Sequence, residues 1–310
     1  MTRIFRATAF FLFPAGILVL CLVFPHACAR GVSKGLTLSL SSALPSLFPA
    51  LVCSRMITRA LSPKMHRRAV FLPFLLGLLC GFPVGAQSTS ELVEKGVITK
   101  KDGEKLLFFV NNAGPAFLIG FCGANVLGDP SLGFFLFFLQ SILSGLCFFF
   151  FFGKKRMKST KQTENKEEQN CFFSSQGNSF SPTKLSFSTL FTQALGGAMH
   201  SFLYIMSCIL FFSFLEEVIF SFAFLSDFSE TLLALFLEMT SGIRRLSDLP
   251  HSLSLSLCAL GCGWGGLSVH FQTLGETEKA SLSPKFYFLG KLLFAGVMFL
   301  GAEIFQKYLS

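Results

Sequence analysis

Apolar residues run along this chain in long blocks separated by short polar and basic stretches. The blocks Ala9–Pro25 with its flanks, Ser131–Phe152, Leu190–Phe214 and Phe286–Ile304 lie near or above the roughly 18 residues expected of a membrane-spanning helix. A serine-studded run, Gly35–Thr58, reads as a further span. Other blocks are too short or are interrupted. Ala69–Cys80 cannot cross a hydrocarbon core of about 30 Å at 1.5 Å per residue. It reads as a half-helix that enters, breaks at Gly81–Gly85 (GFPVG) and returns through Ser88–Lys95. Gly103–Val110 then enters again, breaks at Asn111–Pro115 (NNAGP) and continues through Phe117–Leu127. The pattern predicts an all-α, polytopic membrane protein with re-entrant or broken helices.

Composition strengthens this reading. Of 310 residues 52% are hydrophobic and 14% charged, with a mean hydropathy of +0.61, against about 25% charged in soluble domains. Phenylalanine occurs 42 times, while Trp occurs once and Tyr three times, so Phe and Leu supply the lipid-facing bulk and an interfacial Trp/Tyr belt is barely available. The net charge of +9 comes from clusters between apolar blocks rather than one basic face, which argues against nucleic acid and for charge-directed topology. Ten cysteines without a CxxC pair read as small buried hydrophobes, so neither a metal nor another cofactor is expected.

The basic clusters give an orientation. Arg3 and Arg6 precede an apolar stretch that is either an uncleaved first span or a signal peptide ending at Ala27-Cys28-Ala29; in both cases the next segment begins outside. Arg55, Arg59, Lys64, Arg67 and Arg68, then Lys95, Lys100, Lys101 and Lys105, lie in the cytoplasm, as does the polar segment from Gly153. The expected organisation is an N-terminal span (1–34), a first membrane repeat (35–152), a polar cytoplasmic loop (153–184) and a second repeat (185–310).

The repeat rests on placing LLGLLCGFPVGAQ, around Cys80-Gly81-Phe82, against LCALGCGWGGLSV, around Cys262-Gly263-Trp264. If Gly35–Thr58 runs inward and Leu190–Phe214 outward, the repeats are inverted. Arg244, Arg245, Lys279 and Lys285 do not fit a purely inverted path, so the topology of 216–285 stays open at this level.

Non-helical backbone at membrane depth must be buried in protein or line a wet cavity. The candidate solute site is therefore built from the breaks: Gly81, Pro83, Gly85 and Gln87; Asn111, Asn112, Gly114 and Pro115; Gly263, Ser268, His270 and Gln272. Glycines permit positive φ and close approach, prolines remove donors, and the amides offer donors and acceptors. Ser88 is expected to face the same cavity. Glu238, isolated in LFLEMTSG, is the coupling-ion candidate, since an ionisable group in a span is costly; its plainer reading is an ion pair with Arg244 or Arg245. Glu216 and Glu217 read as an outer-surface boundary, and His200 as packed within its helix. No nucleophile-base spacing, HExxH or phosphate-cradling loop is present, so no enzyme is expected.

The stretch GFPVGAQSTSELVEKGVITKKDGEKLLFFVNNAGPAFLIG, with ALPSLFPALV before it and GWGGLSVHFQ after it, resembles the YlbJ-type sporulation integral membrane proteins, within the nucleoside recognition (Gate) domain group. The resemblance implies a bacterial inner-membrane protein associated with making the spore cortex, two Gate-like repeats, and helix breaks arranged around a polar, nucleoside-like solute. The function expected is a transporter or sensor of a small polar solute. The alternative is a non-transporting scaffold in sporulation or envelope construction, with homo-oligomers or sporulation membrane proteins as partners.

Overall fold

The computed structural model describes residues 2–61, 69–153, 186–222 and 224–309. Lys64, Arg67, Arg68 and the polar loop after Gly153 lie outside these residues. The described chain is 85% helical and has no strand. Helices long and apolar enough to cross a membrane cover Pro130–Phe152, Phe187–Phe220, His251–Glu278 and Lys285–Tyr308; a further pair, Phe11–Val23 and Pro25–Ser41, meets at 105°. This fits a polytopic membrane protein.

Helix α1 (Thr2–Val23) turns at Phe24 into α2 (Pro25–Leu38), with Pro25 in the first turn, where its missing N–H costs no hydrogen bond. The chain then continues through a π-turn (Ser39–Ala43) into α3 (Leu44–Ala60). The span expected to begin at Gly35 thus starts earlier, and the 34/35 boundary falls inside α2. The first half continues with α4 (Phe71–Cys80), α5 (Val84–Glu94), α6 (Lys100–Leu107), a wide π-type helix (Ala116–Val126) and α7 (Pro130–Phe152). Asp129 starts α7 by accepting from the Ser131 N–H at 2.8 Å and its hydroxyl at 2.7 Å, bonds that hold its carboxyl below the usual range.

The second half comprises α8 (Phe187–Phe220), α9 (Asp227–Leu237), α10 (Met239–Arg244), α11 (His251–Trp264), α12 (Gly266–Glu278) and α13 (Lys285–Leu309). Helix α8 runs antiparallel to α2–α3: Gly31 lies on Phe214 and Gly35 on Leu210, while Arg59 donates to Gln193 at 3.1 Å. A Cβ at Gly31 would come within 2.6 Å of the Phe214 backbone; small residues allow this approach where lipid offers no hydrophobic drive between helices.

Each half contains two breaks that press on each other. Gly81, at φ +82°, lies against Gly114, where a Cβ would meet the amide nitrogen at 2.7 Å. In the second half Gly265 and Gly266, at φ +93° and +75°, turn α11 into α12, and Gly266 abuts the Met239 nitrogen, at a Cβ separation of 3.0 Å. Positive φ in both places is open to glycine at little cost. The segment between α6 and the wide helix is held from α7: Gln140 donates to the Ala113 carbonyl at 2.8 Å and accepts from its N–H at 3.2 Å. Asn112 donates to the Phe109 carbonyl at 2.7 Å and to Ser144 Oγ at 2.8 Å. The opposite face of α7, with Phe134, Phe138, Ile142, Leu146 and Phe149, is exposed at helical spacing, as a lipid-facing stripe requires.

Gln140→Leu keeps similar bulk but strips both partners from Ala113. We expect a loss of about 2–6 kcal/mol, since each of the two stranded buried groups costs about 1–3 kcal/mol. Thermal unfolding of the detergent-solubilised protein measures it, with Gly145→Ala as control, because a Cβ there meets nothing within 4 Å.

Candidate functional site

The breaks surround a cavity of ≈ 190 Å³ halfway along α2–α3 and α8. Gly81, Phe82, Gly114 and Phe117 line it from the first half; Glu238, Thr240 and Gln272 line it from the second. The rest of the wall is largely apolar, including Leu38, Leu47, Ile205 and Ile209. Its volume is below the roughly 300–1,000 Å³ of drug-sized pockets, so an occupant is small. Glu238 is 2% exposed and sits where α9 gives way to α10. Its Oε2 accepts the Ser241 N–H at 2.8 Å, the N-cap position where a carboxylate meets free donors and the positive helix end.

A second cavity, ≈ 460 Å³, opens beside Arg55, Glu91, Lys95, Glu276 and Lys279. Helices α5 and α12 run between the two: Phe82, just before α5, and Gln272 lie at the central cavity, whereas Glu91 and Glu276 lie at this vestibule. Arg55 bonds Glu91 and donates to Ser201 Oγ at 2.6 Å, with Glu276 at 3.6 Å. Thr58 also bonds Glu91. Lys95 donates to the Thr58 carbonyl at 2.9 Å; burial, partly offset by Glu91, pulls its ammonium below the usual lysine range. The far end of the bundle carries a matching cluster. Lys34 pairs with Glu216 at 2.8 Å and Glu217 at 3.2 Å, and the Ser241 hydroxyl donates to Glu216 at 2.5 Å. Lys34 and Arg55 are separated by about 30 Å of helix at 1.5 Å per residue, close to a hydrocarbon thickness.

Of the residues expected to form one site, the structure brings Gly81, Gly114, Gln272 and Glu238 to the central cavity. Gln87 lines the vestibule, where it accepts from Ser54 at 2.9 Å and its Nε2 has no partner among the described residues. Others serve contacts between helices or bonds within their own helix. Asn111 donates to Thr273 at 2.8 Å and to the Tyr287 hydroxyl at 3.4 Å, and that hydroxyl pairs with His270 Nδ1 at 2.7 Å. Asn112 is used by Ser144 and the Phe109 carbonyl, and Ser268 accepts from Gln272 at 3.1 Å. Ser88 donates to the Gly85 carbonyl at 3.0 Å. Gly85 packs on the Val110 carbonyl and Gly263 on the Ala295 backbone. Pro83 and Pro115 stand just before α5 and the wide helix.

Glu216 and Glu217 do lie at one end of the bundle, as expected of a boundary, but Glu216 is fully buried there because Lys34 and Ser241 satisfy it. Glu238 pairs with neither arginine: Arg245 bonds Glu230, and Arg244 lies 5.9 Å from the Phe121 ring. His200 is exposed at the vestibule rather than packed into its helix. Arg55 and the 4%-exposed Lys291 were not singled out from the sequence. The available signal was their interruption of LVCSRMIT and FLGKLLF, since an ionisable residue in an apolar span is rarely idle. No family model matches the chain, and no curated protein or solved structure matches it.

Lys34→Met leaves Glu216 buried without its cation, and we expect a loss of about 3 kcal/mol. The double variant with Glu216→Gln should recover much of it. A double-mutant cycle on thermal unfolding reads the coupling, and additive single effects would mean that the pair contributes nothing.

Proposed function

We propose that this protein is a carrier of a small polar solute, which it binds in the midplane cavity and passes between the bilayer faces. The observation that carries this reading is the convergence of breaks from both halves on one small cavity that holds a buried carboxylate. An acidic side chain at a break, with an amide opposite in Gln272, suits a solute bearing hydrogen-bond donors or a positive charge. Glu238 is then the residue that meets the solute or a coupling proton or sodium ion. The ion-pair clusters at Lys34 and Arg55 close the two ends.

In this reading the halves are inverted repeats, which the antiparallel run of α2–α3 against α8 supports, and the Arg55 end faces the cytoplasm of a bacterial cell. The motif resemblance adds the inner membrane, a Gate-like fold, a nucleoside-like solute class and a role in spore-cortex formation. A second reading, a membrane scaffold, draws on a specific observation: Asn111, Asn112, Gly85 and Gly263 are occupied in helix packing.

The test is thermal stabilisation of the purified protein by nucleosides, nucleobases, amino acids, sugars and small ions. A ligand at a hundredfold excess over Kd adds about 2.7 kcal/mol. Gln272→Ala and Glu238→Gln should lose the shift for the active compound. Asn112→Ala should keep the shift on a less stable protein. No stabilisation by any class would sink the carrier reading in favour of the scaffold.

Orientation has its own check in a background stripped of native cysteines. An impermeant maleimide should label Asn125→Cys in intact cells and Lys101→Cys only after permeabilisation. The reverse pattern would turn the protein over.

A further inference from the structure

Away from both cavities, Cys122 on the wide helix meets Cys258 and Cys262, one turn apart on α11. All three are fully buried, their sulfurs lie within 4.8 Å of one another, and Cys122 Sγ is 3.8 Å from Cys262 Sγ. Three sulfurs around one ion at a metal–sulfur distance of about 2.3 Å stand about 4 Å apart in a trigonal plane, so little movement separates this arrangement from a coordination shell. We propose that Cys122, Cys258 and Cys262 form a Cu(I) site that joins the two halves of the protein.

The donor set selects the metal. Soft thiolates favour Cu(I) and zinc. Zinc in a structural site takes four ligands, however, and in an open site takes water as the fourth. Here no His, Asp or Glu completes the group among the described residues, and the surroundings are the apolar core that includes Leu118, Leu136, Leu255 and Met298. Cu(I) is satisfied by two or three sulfurs and needs no water. Three thiolates around Cu(I) carry two net negative charges, and the ammonium of Lys291, which reaches the carbonyl of Gly263 beside Cys262 at 3.5 Å, offsets one of them. Binding exchanges thiol protons for the ion, the protons leave to water, and copper stays Cu(I) throughout. Met298, in the same core, adds a soft thioether nearby.

The site is also placed where it would matter. Cys122 follows the first half's second break and Cys262 precedes Gly265, so a bound ion ties the helix that leaves one break to the helix that leads into the other. A wide helix is a common local form at functional positions.

The experiment uses the full-length, detergent-solubilised, reduced protein in which Cys21, Cys28, Cys53, Cys80, Cys147, Cys171 and Cys208 are replaced by Ser. Cu(I) is added anaerobically against a chromogenic Cu(I) chelator. We expect one Cu(I) per chain, with ultraviolet thiolate-to-copper charge transfer and luminescence. Affinity should fall at least about 100-fold on Cys262→Ser or Cys122→Ser, beyond the usual loss for a supporting group. Each variant's metal-free form is first shown to be monodisperse and cooperatively melting; Cys262→Ala serves where Ser does not fold. The proposal is overturned if the folded three-cysteine protein leaves all copper to the chelator, if Cys262→Ser binds equally, or if zinc is retained in preference to Cu(I).

Discussion

A backbone N–H or C=O left without a partner in hydrocarbon costs several kcal/mol, and this chain interrupts its helices repeatedly among apolar helices long enough to cross a membrane. The fold depends on how those groups are satisfied. Gln140 reaches from α7 to bond both backbone groups of Ala113, and the Glu238 side chain caps the helix that follows its own break. Elsewhere the breaks rest on each other, Gly81 on Gly114 and Gly266 on Met239. Glycine is needed at these contacts for space as well as for φ, because the nearest atoms are backbone and cannot move aside as a flexible side chain would.

The sequence made the breaks at Gly81–Gly85, Asn111–Pro115 and after Gly263 and most of the spans legible, because Gly and Pro punctuate an otherwise continuous apolar pattern; the break at Glu238, which carries neither, was not legible. The bend at Phe24 was not legible, since PHACARGVSKG is too polar to look like the start of a long helix. Its polar residues are tolerated because Lys34 meets carboxylates brought from α8, a contact across the whole chain. The candidate site was half legible for the same reason. Proximity to a break marks Gly81, Gly114 and Gln272, but which face of a helix a residue occupies depends on its partners. Asn111 and His270 therefore turn toward Thr273 and Tyr287, while Gln140, inside the unbroken run FFLQSIL, proves central to the first half's break.

The polar clusters at the two ends differ in kind from the packing at the breaks. A glycine contact against backbone cannot open by small steps, whereas an ion pair near an interface can exchange its partner for water at modest cost. Lys34, with a side chain 29% exposed, lies closer to that regime than Arg55 at 11%, which is held among α3, α5, α8 and α12. If the midplane cavity communicates with the outside by parting helices, the Lys34 end is the easier one to hydrate. The Arg55 end must release two carboxylates and Ser201 together, although its larger vestibule already brings water close to them. Opening at either end then leaves the glycine-paired breaks intact, so the cavity walls keep their shape while the ends change. That division between rigid breaks and exchangeable ends is what the proposed carrier would use to open one end at a time.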